Sequence, residues 1–148
     1  MAPDKPIKSG LSQAQYAAIA AFRFELRRFL AFSEAAAAAE GLPPQQHQAL
    51  LAIAGRGGAE PATVGALADQ LMVAPHTAAE LVSRMVEAGL LIKTPSQADR
   101  RRLDLSLTGQ AEELLGRLTA AHLQELSTLE PALIRALGGL GGVELKSS

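Results

Sequence analysis

The stretch from Thr63 to Thr108, TVGALADQLMVAPHTAAELVSRMVEAGLLIKTPSQADRRRLDLSLT, decides the fold. Apolar residues recur at helical spacing from Val64 to Leu71. After a brief break at Val73-Ala74, Pro75 opens a second helical pattern that ends before Gly89. Two helices joined by a short turn form a helix-turn-helix, whose second helix can lie in the major groove of DNA.

The apolar spacing then changes from helical to alternating, which predicts a small antiparallel hairpin. Leu91-Ile92-Lys93 is a short apolar segment, residues 95–99 are typical of a turn, and apolar and polar residues alternate from Leu103 to Leu107. Arg100, Arg101 and Arg102 lie at the predicted tip. As a wing beside the helix-turn-helix, this tip would contact the sugar-phosphate backbone or a narrow minor groove. An ordinary solvated turn is the alternative interpretation of the arginines.

Asp99 stands next to these arginines, and we expect its carboxylate to pair with Arg101 and to aim it. A turn-forming Asp is the simpler interpretation, and the two roles are compatible.

A long helix is predicted before this stretch. Ser12 and Gln15 fit a capping box, and a helical apolar pattern continues to Glu40 and stops at Gly41. Such a helix of about 28 residues would be about 42 Å long, which is longer than a small domain is wide. Part of it should therefore contact another molecule, and an identical subunit is the simplest choice.

Three further helices are predicted around the central stretch. Pro43-Pro44 begins a short helix that ends at Gly55, and Thr108 caps a long helix that extends through Leu126. Pro131 is expected to start a separate short helix through Leu137. The predicted fold class is therefore mainly α, with a small antiparallel β-hairpin and dimerisation helices at both termini.

These segments predict one domain over residues 1–148. Residues 11–40 and 109–137 would form the helical dimerisation region, and residues 43–108 the winged helix-turn-helix lobe that binds DNA.

Composition limits the other classes of function. The chain has no cysteine, which excludes disulfides, thiolate metal sites and thiol switches. The three histidines lack ligand spacing, so we predict no metal; His76 is expected to touch DNA, and His47 and His122 to be surface or interhelical residues. No catalytic triad or phosphate-binding glycine loop is present, so we predict neither an enzyme nor a cofactor.

Charge and hydropathy set two further expectations. The formal net charge is −1, which is unusual for a nucleic-acid-binding protein, so basic charge must be concentrated locally, as it is at residues 100–102. No apolar run reaches the roughly 18 residues of a membrane span, and the N-terminus does not resemble a signal peptide. We therefore predict a cytoplasmic protein with no membrane partner.

The chain resembles the MarR (multiple antibiotic resistance regulator) family from about Ser12 to Leu137. The likeness is carried by five segments: Leu42-Pro43-Pro44-Gln45, Thr63-Val64-Gly65-Ala66-Leu67-Ala68, Leu81-Val82 with Arg84 and Gly89-Leu90-Leu91, Asp99-Arg100-Arg101, and Leu105-Ser106-Leu107-Thr108. The resemblance implies a homodimer with intertwined terminal helices that represses transcription at a pseudo-palindromic operator. It also implies release of double-stranded DNA when a small molecule binds.

The resemblance and the helical spacing together give the candidate DNA-binding residues. They are His76, Thr77, Ala79, Glu80, Ser83 and Arg84 on the second helix, and Arg100, Arg101 and Arg102 on the wing. Glu80 departs from the Ser, Thr and Arg that many family members carry there. Its carboxylate can accept a hydrogen bond from cytosine but repels phosphate, so the preferred operator stays open.

Two alternatives remain open at this stage. Phe22, Arg27 and Phe29 could bind a small anionic aromatic effector, although the phenylalanines also fit a core role and Arg27 a solvated helix face. The alternative function is a winged-helix protein-protein interaction module that binds no DNA, which the near-neutral charge and Glu80 favour slightly.

Overall fold

The computed structural model describes residues 11–56 and 60–140, and this part of the chain is mainly helical with one antiparallel hairpin, as predicted. The elements are α1 (Gln13–Ala39), α2 (Pro44–Ala54), α3 (Val64–Leu71), α4 (Pro75–Glu87), β1 (Leu91–Pro95), β2 (Leu103–Leu107) and α5 (Gly109–Gly138).

Side-chain caps fix the ends of several helices. At the start of α1, Ser12 Oγ accepts the Gln15 N–H at 3.2 Å, and Gln15 Oε1 accepts the Ser12 N–H at 3.0 Å, which confirms the capping box. Thr108 Oγ1 accepts the Ala111 N–H at 3.2 Å and donates to the Gly89 carbonyl at 2.7 Å. One threonine thus caps α5 and ties it to the end of α4.

The turn between α3 and α4 depends on an unusual residue. Met72 has φ +58° and lies in the left-handed region, although it is not a glycine. This conformation lets the Val73 N–H reach the Ala68 carbonyl at 3.0 Å and the Met72 N–H reach the Asp69 carbonyl at 3.2 Å. The Met72 side chain is 91% exposed, so the turn projects it into solvent.

The prediction of a separate helix starting at Pro131 is wrong, because α5 runs without interruption from Gly109 to Gly138. A proline inside a helix removes one backbone hydrogen bond and crowds the preceding turn. Here Leu129 and Ala136, on either side of it, are both buried on α5. Packing of that face therefore outweighs the local cost of the proline.

The described chain divides into two compact units, one containing the residues up to Ser33 and from Ala121 onward, the other residues 34–120. The second unit holds α2, α3, α4 and the hairpin around a core in which Leu50, Val82 and Met85 are fully buried. Residue Ala62 adds a bridge to the sheet, since its carbonyl accepts the Leu105 N–H at 2.8 Å.

The first unit pairs the N-terminal part of α1 with the C-terminal part of α5. His122 is buried there, with its Nε2 atom 2.8 Å from Ser33 Oγ, and its ring makes edge contacts with Phe29 and Phe32. His122 is thus interhelical, as predicted. His47, on α2 in the second unit, is also buried, at 1% exposure, so of its two predicted positions the surface one does not apply.

Candidate nucleic-acid interface

Helix α4 exposes one face along its length. Its buried residues are Ala78, Leu81, Val82 and Met85. The opposite side carries the exposed candidates, which are His76, Ala79, Glu80, Ser83 and Arg84, while Thr77 is half-buried at the edge of this face. The helix therefore brings five of the six predicted residues to one exposed surface.

Two features of α4 bear on what this face can bind. The helix begins after Ala74 without a side-chain cap, and its first residue is Pro75. The free N–H groups of a helix N-terminus carry partial positive charge, which favours a phosphate. Glu87 is also exposed and falls on the same face as Glu80, about two turns away. Sequence reasoning missed Glu87, although its helical spacing from Glu80 could have identified it.

The hairpin forms the wing, and its register is Leu91 with Leu107 through Pro95 with Leu103. The predicted turn began at Pro95, but this residue pairs in β1, so the turn spans residues 96–102. The Ser96 N–H donates to the Arg102 carbonyl at 2.9 Å and closes that turn. Both partners of this bond lie at the base of the loop.

The three arginines of the wing differ in their surroundings. Arg100 and Arg101 are exposed at the tip. Arg102 is held from two sides, with its guanidinium donating to Ser96 Oγ at 3.0 Å and its Nε lying 3.4 Å from Asp104 Oδ1. The structure therefore brings Arg100 and Arg101 together as free cations and ties Arg102 to the hairpin.

The position of Asp99 differs from the expected side-chain pair. Its Oδ1 accepts the backbone N–H of Arg101 at 3.0 Å, and no ion pair among the described residues joins it to the Arg101 guanidinium. Asp99 thus fixes the turn through the backbone, because a short carboxylate side chain reaches the N–H two residues ahead more readily than a mobile guanidinium.

Sequence reasoning also missed Ser96. This residue is only 4% exposed, and its Oγ accepts the N–H groups of Ala98 at 3.2 Å and Asp99 at 3.3 Å. The signal was present, since a serine after a proline at the start of a turn commonly accepts from N–H groups two and three residues ahead.

The three candidate effector residues lie on α1, but the helix does not bring them together. Phe22 and Phe29 are half-buried, seven residues apart on the same side of the helix. Arg27 is exposed and lies about 160° around the helix from Phe29. The Phe29 ring contacts His122, with ring centroids 5.8 Å apart, which is a packing role.

Over residues 11–56 and 60–140, no three His, Asp or Glu side chains gather into a group that could hold a metal ion. Within the same ranges, no helix combines the length and apolar character needed to span a bilayer.

Comparison with known proteins relates the segment that contains α4 and the wing tip to one family. Residues 40–102 match the model of the MarR family. The matched segment extends from α2 to the tip of the wing. No curated protein sequence matches the chain significantly.

Many solved structures share the fold. RV1404 from Mycobacterium tuberculosis is 26% identical, with 83% of this chain and 86% of that chain covered and a TM-score of 0.62. The multiple antibiotic-resistance repressor MarR from Listeria monocytogenes is 26% identical, with coverage of 72% and 71% and a TM-score of 0.54. A variant of S. aureus MepR bound to an oligodeoxyribonucleotide is 17% identical, with coverage of 74% and 79% and a TM-score of 0.62.

Proposed function

We propose, from the match of residues 40–102 to the model of the MarR family, that the chain is a transcriptional regulator that binds double-stranded DNA. One observation carries the proposal. The exposed face of α4 and the wing belong to the same compact unit, and the wing tip exposes Arg100 and Arg101. A helix of this kind fits the major groove, and the wing arginines reach the adjacent backbone or minor groove.

The division of labour follows from the chemistry of each part. Arg100 and Arg101 are always charged, and their planar guanidinium groups can bond phosphate or minor-groove acceptors, which gives affinity. His76, Glu80 and Ser83 on α4 have donors and acceptors that match base edges, which gives sequence preference. The acidic Glu80 makes contact with cytosine N4 the expected specific interaction.

We also propose that the regulator works as a homodimer on a pseudo-palindromic operator. Support comes from α5, where Leu123, Leu126, Ile134 and Leu137 are between 40% and 63% exposed in the isolated chain. Such a contiguous apolar face is typical of a surface that another subunit covers. A two-fold dimer presents two α4 helices to two half-sites.

Repression, and release by a small molecule, are proposed on the family resemblance alone. The spread of Phe22, Arg27 and Phe29 around α1 gives no support to a site formed by these three residues. The proposal of a small anionic aromatic effector therefore comes from the resemblance and not from contacts among the described residues.

The test is the salt dependence of binding to a mixed-sequence duplex, measured by fluorescence anisotropy. Each phosphate contact contributes about 0.9 to the slope of log affinity against log salt concentration. Arg101→Ala in a dimer removes two contacts and should lower the slope by about two. Lys93→Ala is the matched control, because it removes an exposed cation from β1 away from the tip.

The protein-protein interaction module remains the second candidate, and the two acidic residues on the α4 face, Glu80 and Glu87, together with the net charge of −1 favour it. The same titration separates the two functions. A wild-type protein that shows no salt-dependent binding to any duplex in a random pool would support the interaction module and contradict DNA binding.

A further inference from the structure

We propose that Ser96, Arg102 and Asp104 form an internal brace of the wing, in which Arg102 positions the tip and makes no phosphate contact. The proposal rests on the proposed DNA-binding function and deepens it, because it assigns different tasks to three adjacent arginines. Arg100 and Arg101 bind the duplex, and Arg102 holds the loop from which they project.

The first observation is the number of donors that converge on one buried hydroxyl. Ser96 Oγ accepts the backbone N–H groups of Ala98 and Asp99 and a guanidinium N–H of Arg102, at 3.2, 3.3 and 3.0 Å. Because Ser96 as a whole is only 4% exposed, water has little access to replace these partners. Ser96 therefore joins the two ends of the tip through its side chain.

The second observation concerns the charge of Arg102. Its Nε and Asp104 Oδ1 are both shielded from solvent, and they lie 3.4 Å apart. Neither atom has another hydrogen-bond partner, so each is the charge partner of the other. To turn toward DNA, Arg102 would have to leave Asp104 Oδ1, the shielded oxygen of a side chain that is 32% exposed, without its charge partner, which is unfavourable.

The third observation is the backbone around the brace. The Arg102 N–H donates to the Asp99 carbonyl at 3.0 Å, and the Asp99 side chain accepts the Arg101 N–H at 3.0 Å. These bonds and the Ser96 bonds restrain both ends of the segment that carries Arg100 and Arg101. A restrained segment loses less conformational entropy on binding, so the brace raises affinity without adding a contact.

The experiment compares variants that remove the brace without changing net charge. Ser96→Ala removes the hydroxyl, and the double variant Arg102→Ala/Asp104→Ala removes both members of the ion pair. Ser106→Ala is the matched control, because it removes an exposed serine from β2 of the same hairpin. Arg101→Ala serves as the reference for a lost phosphate contact.

Binding to a mixed-sequence duplex is measured over a range of salt concentrations. Ser96→Ala and the Arg102/Asp104 double variant should each bind roughly fivefold more weakly at every salt concentration, which is the effect of about one net hydrogen bond. Their salt slopes should equal that of the wild type, whereas Arg101→Ala lowers the slope by about two. Ser106→Ala should match the wild type in both quantities.

Amide hydrogen exchange of the free protein gives a readout without DNA. Ser96→Ala should speed exchange at Ala98 and Asp99, whose N–H groups lose their acceptor. If the double variant loses as much salt slope as Arg101→Ala, Arg102 contacts phosphate and the brace is overturned. Equal exchange and affinity for Ser96→Ala and Ser106→Ala would overturn it too.

If the proposed DNA-binding function is wrong, the binding experiment gives a different result from the one expected if only the brace is absent. In that case the wild type shows no salt-dependent binding, and the exchange measurement alone decides whether the brace exists. If Ser96→Ala does not fold, the Arg102/Asp104 double variant carries the test, because the two side chains that it removes are about one-third exposed.

Discussion

Asp99 acts on the chain around it rather than on a neighbouring charge, since its carboxylate accepts the Arg101 backbone N–H at 3.0 Å. Simple electrostatics predicts that removing an acid from a DNA-binding tip tightens binding. The turn-fixing role predicts the reverse for Asp99→Ala, with affinity lower by roughly fivefold, the effect of one net hydrogen bond.

The discriminating variant is Asp99→Asn. An asparagine keeps an oxygen acceptor at the same place and removes the charge, so it should bind at least as tightly as the wild type. Titration of a duplex with both variants at several salt concentrations checks this order. Tighter binding by Asp99→Ala at every salt concentration would show that charge, not the turn, dominates at this residue.

Met72 has φ +58° and lies in the left-handed region of backbone conformation. A residue with a Cβ pays about 1–2 kcal/mol of conformational free energy there, so Met72 is strained. Met72→Gly should relieve this strain, although glycine adds about 0.4–1 kcal/mol of unfolded-state entropy cost. The expected net gain in the free energy of unfolding is about 0.5–1 kcal/mol. The exposed side chain contributes little packing to offset it.

The control for this prediction is Met72→Ala, which shortens the side chain but keeps the Cβ. Urea unfolding at one protein concentration should place Met72→Ala at or below the wild type and Met72→Gly above both. Equal stability of the two variants would mean that the turn carries no strain at φ +58°.

At the scale of elements, α5 presents a proline that the helix tolerates. Pro131 is exposed, so its side chain has little packing to lose, while its ring removes one hydrogen bond from the helix interior. Pro131→Ala should raise the free energy of unfolding by about 2 kcal/mol, since the helix cost of proline exceeds the loss of its rigidity in the unfolded chain.

Thr128→Ala provides the comparison, because it changes another exposed α5 residue to alanine without restoring a backbone donor. Its gain should not exceed about 0.7 kcal/mol, the range of ordinary helix propensities. Thermal unfolding of both variants at one concentration measures the difference. A Pro131→Ala gain no larger than the Thr128→Ala gain would contradict the assignment of an uninterrupted, mildly strained helix.

The elements that sequence predicted well are those with local signals. The capping pairs at Ser12 and Thr108 involve residues three apart, and Leu105 at the centre of β2 is buried, although Leu103 at its start is 42% exposed. Such signals do not depend on distant parts of the chain, so they survive folding unchanged. The helix-turn-helix and the wing could be predicted for this reason.

The features that were predicted wrongly depend on competing interactions. A short stretch of sequence does not show which of these interactions is the stronger. At Pro131, burial on the neighbouring turns outweighs a local helix-breaking tendency. In the wing, Asp99 and Ser96 have a choice of donors, and only the folded loop decides that Asp99 accepts a backbone N–H while Ser96 and Asp104 hold Arg102. Residue type predicted a charged wing tip, but not which arginine stays free.

At the scale of the whole molecule, the formal net charge of −1 means that DNA binding depends on local positive charge at the wing tip. A dimer would bring two such tips to the duplex. The tip of one wing offers Arg100 and Arg101 as exposed cations, whereas a two-fold dimer doubles that number and sets the spacing of half-sites. Dimerisation and salt dependence should therefore change together when the apolar face of α5 is altered.

Ile134→Glu tests that link, because Ile134 is 63% exposed in the isolated chain and its replacement puts a charge on the face that a second subunit would cover. Thr128→Glu is the control, since it adds the same charge to an exposed α5 position about 120° around the helix. Sedimentation equilibrium should give about twice the 15.4 kDa chain mass for the wild type and for Thr128→Glu, and one chain mass for Ile134→Glu.

The monomeric variant should then lose about half of the salt slope on a mixed-sequence duplex, because one wing and one α4 helix contact the DNA instead of two. Circular dichroism at the same concentration checks that Ile134→Glu keeps its helices, so that weaker binding is not mistaken for unfolding. A folded wild-type monomer at micromolar concentration would contradict the dimer directly. A monomeric Ile134→Glu with an unchanged slope would instead show that one subunit makes all the phosphate contacts, and the two-fold arrangement on DNA would be wrong.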